Sequence, residues 1–347
     1  MALLVVAIVA CSQPSAHPAA QASPSATAPS PESSALASPW ATPTASPTQV
    51  VKLIQDLPVT LPTFSCRLPF YAVHGLITDW FITFPSGAVG VDPVASNGKY
   101  FDMAFSRWLP VPRSNVSADG ADYAYIDTPG SDFVLHVVAV GSGKETLVHL
   151  SSHLFSGQPS VLDYSSDGIY LVNGFEQLLA GLWLVDPASG SVRQVSKDLF
   201  PVLSAGNGII WTQVLNPADP NPVQTGTSWG TLPNEIDRVD IRSGTRTEWL
   251  YEPGKGVELI GLDSRGLPLI ETQGAWGFDP DAQLLLVAAP ASPRSIYRGA
   301  LVEEIGGGVT DSHGVWLSGQ GGIYLYTNSG ALTKVSNYPA FPANGCF

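Results

Sequence analysis

The sequence predicts an all-β protein, a β-propeller of four-stranded blades, with six blades in the ring, or seven if the first region divides in two. Three observations predict it. Gly and Pro account for 34 and 30 of 347 residues and charged residues for only 13 %, against roughly 12 % and 25 % in an average chain. A turn rich in Ser, Asp and Gly recurs ahead of a β-prone apolar run, and it recurs every 40 to 58 residues, the length of four short strands with their hairpins. The composition excludes coiled coils, helical bundles and helical solenoids, which are built from charged, straight-chain helix formers. With 44 % apolar residues and nine Trp, the chain has ample material for a core and is not disordered as a whole. Sixteen Lys+Arg against 29 Asp+Glu give a net charge of −13, which argues against nucleic acid as a partner because such binding needs a basic face.

The elements follow in chain order. Ala2–Ala10 (ALLVVAIVA) is an unbroken apolar run that ends at Cys11. Nine residues are too few to span a bilayer, and an apolar run ending in small residues reads as a signal-peptide core. Ile8-Val9-Ala10-Cys11 resembles the bacterial lipobox, and the resemblance implies that Cys11 becomes the lipidated first residue of a membrane-anchored protein. Residues 1–11 are then a lipoprotein-type signal segment; a plain secretory signal is the alternative. No Lys or Arg precedes the apolar run, so a basic leader region would lie upstream of Met1. Residues 12–49 are low in complexity: 31 of 38 are Ala, Ser, Pro or Thr, and Glu32 is the one acidic or basic side chain. Such a stretch cannot bury enough apolar surface to offset its ordering entropy, so it reads as a disordered tether. Residues 50–347 form one propeller domain, expected to be a monomer.

Two further cysteines, Cys66 and Cys346, lie near the two ends of this domain. In an oxidising compartment a pair placed like this reads as a disulfide. Between them runs the repeat. Ser117-Ala118-Asp119-Gly120 precedes ADYAYI, and Ser165-Ser166-Asp167-Gly168 precedes IYLV. Weaker copies end at Gly208, Gly266 and Gly314. Asp, Asn and Gly tolerate the positive φ of tight hairpins, and the aromatic and β-branched residues that follow suit a pleated, half-buried surface. A third and a fourth strand come next, most clearly in Leu182–Asp186, PASG, Val192–Val195, and again in Ile236–Ile241 with Thr245–Leu250. The region before Pro112 lacks the turn motif but supplies strands in Leu76–Phe84, Ala88–Val91 and Ala104–Leu109, and is expected to form the sixth blade.

The Ser-x-Asp-Gly turn before an aromatic strand, then Leu-Trp-Leu-Val-Asp and a Ser-Gly turn, resembles the repeats of TolB-type propellers over residues 112–336. The resemblance implies the propeller architecture; TolB's partners are not carried over, because the chain leaves no room for its additional N-terminal domain. Ring closure requires Ser336–Phe347 to return to the first blade, which would bring Cys346 to Cys66.

Motifs that carry chemistry are few. Gly226-Thr227-Ser228-Trp229-Gly230 matches a hydrolase nucleophile elbow, but it sits in a Pro/Asn-rich loop rather than at a strand-to-helix turn. His149 and His153 have the i, i+4 spacing of a helical zinc site on what reads as an outer strand, so they are expected to be surface histidines. Asp279 and Asp281 lack the rest of a calcium loop. No metal, cofactor or catalytic residue is expected, and Arg113, Asp163, Glu258 and Asp263 are the main ionisable groups of the candidate inner strands.

Loop length on one face is the more informative feature. The loops joining second to third strands include NGFEQLLAG, the long Asn216–Glu235 insert and TQGAWGFDPDA. They carry Phe175, Trp229, Trp276 and Phe278 beside Glu176, Asp219, Asp279 and Asp281, a combination suited to stacking on sugars or covering a peptide; the alternative is that the aromatics pack their own loops. The functional expectation is a non-catalytic, lipid-anchored extracytoplasmic propeller that binds an envelope protein or glycan through this face. A propeller enzyme, such as a glycan lyase or hydrolase, is the alternative.

Overall fold

Successive side chains of a strand point to opposite sides of its sheet, so a sheet wedged between two others needs apolar residues at odd and even positions alike. The repeat strands IIWTQV (Ile209–Val214), PLIETQ (Pro268–Gln273) and GVWLSG (Gly314–Gly319) have that character. The structure is a computed structural model that describes residues 53–72, 79–91, 98–129, 132–155, 157–173, 181–197, 202–206, 208–224, 231–274, 279–299, 305–319 and 321–347.

Among these residues the strands form six antiparallel sheets and one hairpin. Blade 1 joins both chain ends, in the order Ala340–Pro342, Cys66–Ala72, Asp79–Phe84, Ala88–Val91. Blade 2 consists of Asp122–Asp127, Phe133–Ala139 and Glu145–Leu150, with its inner position filled by Val116, which bridges to Tyr123. Blade 3 runs through Pro159–Ser165, Gly168–Asn173, Leu182–Val185 and Val192–Ser196. Blade 4 comprises Val202–Gly206, Ile209–Val214, Glu235–Asp240 and Arg246–Tyr251, and blade 5 Gly256–Leu262, Pro268–Gln273, Gln283–Val287 and Pro293–Arg298. Blade 6 comprises Gly306–Thr310, Gly314–Gly319, Gly322–Thr327 and Leu332–Ser336. First strands of neighbouring blades touch, as Pro159–Ser165 does Val202–Gly206 and Gly306–Thr310 does both Gly256–Leu262 and Ala340–Pro342, so they are innermost.

Alternation then closes the ring through a series of separate apolar cores. Ile210 faces blade 3 and meets Tyr170, Leu182 and Leu184, whereas Trp211 faces blade 5 and meets Val257, Ile270 and Leu285. Leu269 turns the other way, to Val315, Leu317 and Tyr324 of blade 6. Trp316, fully buried, packs on Leu68, Phe84 and Cys346 of blade 1.

The first region departs from the sequence expectation. Ala104–Leu109 does not join blade 1; Tyr100–Asp102 and Arg107–Leu109 form a separate hairpin that fills the gap between blades 1 and 2. Phe101 and Trp108 face Phe81 of blade 1, while Tyr100 and Leu109 face Val116 and Val140 on the blade 2 side. The hairpin therefore acts as a two-stranded spacer in an otherwise six-bladed ring.

All five motif glycines, Gly120, Gly168, Gly208, Gly266 and Gly314, have positive φ, between 74° and 145°. Gly314 (φ +145°) shows why: a Cβ there would collide with the Tyr326 carbonyl on the neighbouring strand. The turn aspartates also tie blades together. Asp167 Oδ2 accepts the Gly208 N–H of blade 4 at 3.1 Å, and Asp311 Oδ2 accepts the Cys346 N–H and the Trp316 indole N–H, both at 2.7 Å.

Closure is doubled at the chain ends. Phe70 pairs with Pro342 and Tyr71 with Phe341, and Arg67 and Phe347 exchange backbone hydrogen bonds of 2.8 and 3.1 Å. Cys66 and Cys346 form a disulfide with Cα atoms 5.6 Å apart, within the normal range. The chain ahead of blade 1 packs too: Ile54 fills the core between blades 5 and 6, and Thr60 N–H bonds to the Lys334 carbonyl on the outer edge of blade 6.

Candidate functional site: the long-loop face of blades 3 to 5

Strands two and three of each blade are joined at the end opposite the Asp-Gly turns, so the long loops of blades 3, 4 and 5 leave from one face. The Asn216–Glu235 insert of blade 4 is built from its base upward. Asn234, fully buried, accepts the Asn216 N–H at 2.7 Å and donates to Asp219 Oδ2 at 2.6 Å. Asp219 also accepts N–H bonds from Asn221 (2.8 Å) and Gly254 (3.0 Å), and these backbone donors hold its carboxyl below the usual carboxylate range. Leu232 N–H bonds to the Val223 carbonyl, and Gln224 bridges to Thr231, so the segments on either side of residues 225–230 are paired with each other.

The connector between blades 4 and 5 joins two of these loops. Gly254 meets Asp219 on one side, and the next residue, Lys255, makes a short ion pair with Asp279 in the blade 5 loop on the other. Asp279 Oδ1 caps the Asp281 N–H at 2.9 Å, and Asp281 faces Arg298 across 3.5 Å at an exposed position. Both predicted acids of this loop thus have cationic partners, and Asp279 staples its loop. Phe175, Glu176, Trp229, Trp276 and Phe278, together with Cys11, lie outside the described residues.

Sequence reading missed an acid pair at the end of the insert. Glu235 and Asp237 are 8 % and 1 % exposed. Asp237 is in a short ion pair with Arg246, and Asn216 donates to Glu235 at 2.7 Å. Burial first, then the neighbouring Asp237, pushes the Glu235 carboxyl well above the usual carboxylate range. The signal in sequence was only the ExD spacing, with Arg246 on the neighbouring strand. The pair anchors the start of the insert through Asn216.

Elsewhere, histidines meet carboxylates in structural settings. His136 bonds to Glu145 at 2.7 Å while stacked on Tyr125. His313 lies 3.4 Å from Asp311, but it is stacked on Phe64 at 3.9 Å, and the two Asp311 oxygens already accept four N–H donors. His149 and His153 are exposed on and after the outer strand of blade 2. Among the inner-strand ionisable groups, burial pushes Asp163 up to about 6, opposed by the Arg113 charge. Arg113 itself donates to the Val116 carbonyl at 2.6 Å and lies over the Tyr100 ring. Among the described residues no group of three His, Cys, Asp or Glu is arranged to hold a metal ion.

No protein-family model matches this sequence, and no curated protein matches it. Among solved structures the chain is similar to TolB from Acinetobacter baumannii, with a TM-score of 0.44 and 10 % identity over 81 % of this chain and 66 % of that one. It is also similar to the tricorn protease (TM-score 0.43, 15 % identity, 78 % of this chain and 26 % of that one). A third is the periplasmic gluconolactonase PpgL of Pseudomonas aeruginosa (TM-score 0.38, 11 % identity, 78 % and 81 %). The chain spans just under two thirds of TolB and about a quarter of the tricorn protease. The propeller assignment itself rests on the sheet order and ring closure of this chain.

Proposed function

We propose that this protein is a non-catalytic, extracytoplasmic propeller, anchored through a lipidated Cys11, that binds an envelope protein or glycan with the long loops of blades 3 to 5. One observation carries the reading: the buried Asn234–Asp219 network with the Lys255–Asp279 staple. A 20-residue insert that only connected two strands would need no such foundation, whereas a recognition loop does, because affinity is lost when a loop must be ordered on binding. The foundation fixes Asn216, Asp219 and Asn234 of the insert and ties them through Gly254 and Lys255 to Asp279 of the blade 5 loop; in the sequence these two loops carry Trp229, Trp276 and Phe278. The Cys66–Cys346 disulfide supports an oxidising compartment. No helix among the described residues is long and apolar enough to cross a membrane.

The test is capture of envelope proteins and glycans by the full chain, compared with the Trp229→Ala/Trp276→Ala double variant. Loss of capture supports the face; a partner retained at equal strength by the double variant overturns it. Metabolic labelling with a radioactive fatty acid, with Cys11→Ala as control, tests the anchor separately.

A further inference from the structure

The face that bears the Asp-Gly turns, opposite the long loops, holds a cavity of about 420 Å3 between blades 5 and 6. Its floor is apolar: Leu286 and Val315 are each 2 % exposed. Its walls are polar and carry two arginines beside one aspartate, Asp263. Arg294 reaches from the outer strand of blade 5 to donate a short hydrogen bond to the Tyr326 hydroxyl of blade 6, with its guanidinium 5.9 Å from that ring centre. Arg265 lines the same cavity and is held by Asp263 at 2.7 Å.

The two guanidiniums differ in kind. Asp263 accepts the N–H groups of Arg265 and Leu267 as well as the Arg265 side chain, so its capacity is used within its own turn. Among the described residues no carboxylate lies within ion-pair reach of Arg294. Two arginines and one aspartate leave the cavity with a single surplus positive charge, in a chain whose net charge is −13. A guanidinium without a carboxylate partner, at the mouth of a polar-walled cleft with an apolar floor, is a receptor for a planar anion.

We propose that this cleft is a binding site for a small organic carboxylate with an apolar body. Arg294, with Arg265 beside it, holds the carboxylate, and Leu286, Val315 and the Tyr326 ring take the body. A monoanion matches the surplus charge, whereas a phosphate dianion would leave an excess negative charge next to Asp263. The volume lies at the small end of ligand pockets, with room for a small ligand of the size of an acylated amino acid and some water. This site is on the other face from the loops and stands whether or not they bind a partner.

Calorimetric titration of the full chain tests it, with N-acetyl-L-phenylalanine, its primary amide and inorganic phosphate as probes. The acid is expected to saturate with a dissociation constant of about 1 mM, from a typical binding energy per atom for a ligand of this size. The amide and phosphate are expected to bind at least ten-fold more weakly. Arg294→Ala is expected to weaken the acid at least ten-fold. Ala288→Phe, at an exposed lining position, fills the mouth with both guanidiniums intact and is expected to do the same. Unfolding midpoints of both variants establish that they are folded. Equal affinity for the amide, tighter binding of phosphate, an unchanged constant in Arg294→Ala, or no saturation by the acid at about ten times that constant would overturn the proposal.

Discussion

Removing the Cys66–Cys346 bridge is the sharpest perturbation of this ring. The bridge closes a loop with a sequence separation of 280. The chain-entropy relation gives about 5.6 kcal/mol for a loop that long, less whatever compactness the unfolded chain keeps without it, so an observed loss of about 3–5 kcal/mol is expected. For a domain of this size that is a fall in midpoint of roughly 5–8 °C. Cys66→Ala/Cys346→Ala is the right variant, because both sulfurs sit in an apolar cluster with Leu68, Phe84 and Trp316, where a serine would add a buried hydroxyl.

The competing view is that the strand pairing at the chain ends already closes the ring. Ala340–Pro342 pairs with Cys66–Ala72, Ala343 N–H bonds to the Pro69 carbonyl at 2.9 Å, and Arg67 and Phe347 bond reciprocally. Those contacts act on the folded state, whereas the bridge acts mainly on the unfolded one. Equilibrium urea unfolding separates the two, since loss of the cross-link lets the unfolded chain expand and raises the denaturant slope as it lowers the midpoint. A double variant within about 1 kcal/mol of the parent would refute the entropic account and leave the strand pairing as the effective closure.

Three further outcomes follow from single sites. Asp163, pushed up to about 6 by burial, binds its proton more tightly folded than unfolded, so stability is greatest below the unfolded value near 3.8 and falls as pH rises to about 6. Asp163→Asn should therefore stabilise the protein at pH 7.5 by up to about 3 kcal/mol, offset in part by the loss of the Arg113 attraction, and change little near pH 3.5, as pH-dependent urea titrations would show. Asn234→Ala strips partners from the Asn216 N–H and from Asp219; a loss of about 2–4 kcal/mol and faster amide exchange across residues 216–224 are expected, and unchanged exchange would mean the insert is held by the pairing of its own segments. Gly168→Ala puts a methyl 2.5 Å from the Val185 carbonyl at φ +126°; thermal melts should show a loss of about 2 kcal/mol or more.

The blades were legible because their evidence is local. A turn with a positive-φ glycine and strands of alternating apolar residues can be read within ten positions, and all five motif glycines have positive φ. The hairpin between blades 1 and 2 was not legible, since strands of three residues are too short to show a period. The ion pairs around the candidate site were not legible for a different reason. Asp279 was placed on the candidate binding face without a partner, because its cation, Lys255, lies 24 residues away on another loop, and Asp237 finds Arg246 across a strand pair. Ion pairing is a tertiary property, and nothing in the spacing of acids announces it.

Interfaces between blades are mostly apolar, and apolar contact is non-directional: it favours burial at many relative angles. A ring closes on a fixed number of blades only if each angle is set, so something directional must act at each interface. At four of the six interfaces side chains bonded to backbone groups of the next blade do so here. Asp167 takes Gly208 N–H between blades 3 and 4, and Gln213 gives to the Val257 carbonyl at 2.6 Å between blades 4 and 5. Thr310 gives to the Leu262 carbonyl at 2.8 Å between blades 5 and 6, and Asp311 takes Cys346 N–H between blades 6 and 1. Two of the four clips come from the turn motif itself, which gives its aspartate a purpose beyond the turn. Two are neutral, and this is how a chain with 13 % charged residues orients its sheets without relying on ion pairs. Each neutral clip contributes only about 1 kcal/mol and each carboxylate clip about 1.5–3 kcal/mol, so the apolar cores supply most of the energy while the clips set the geometry.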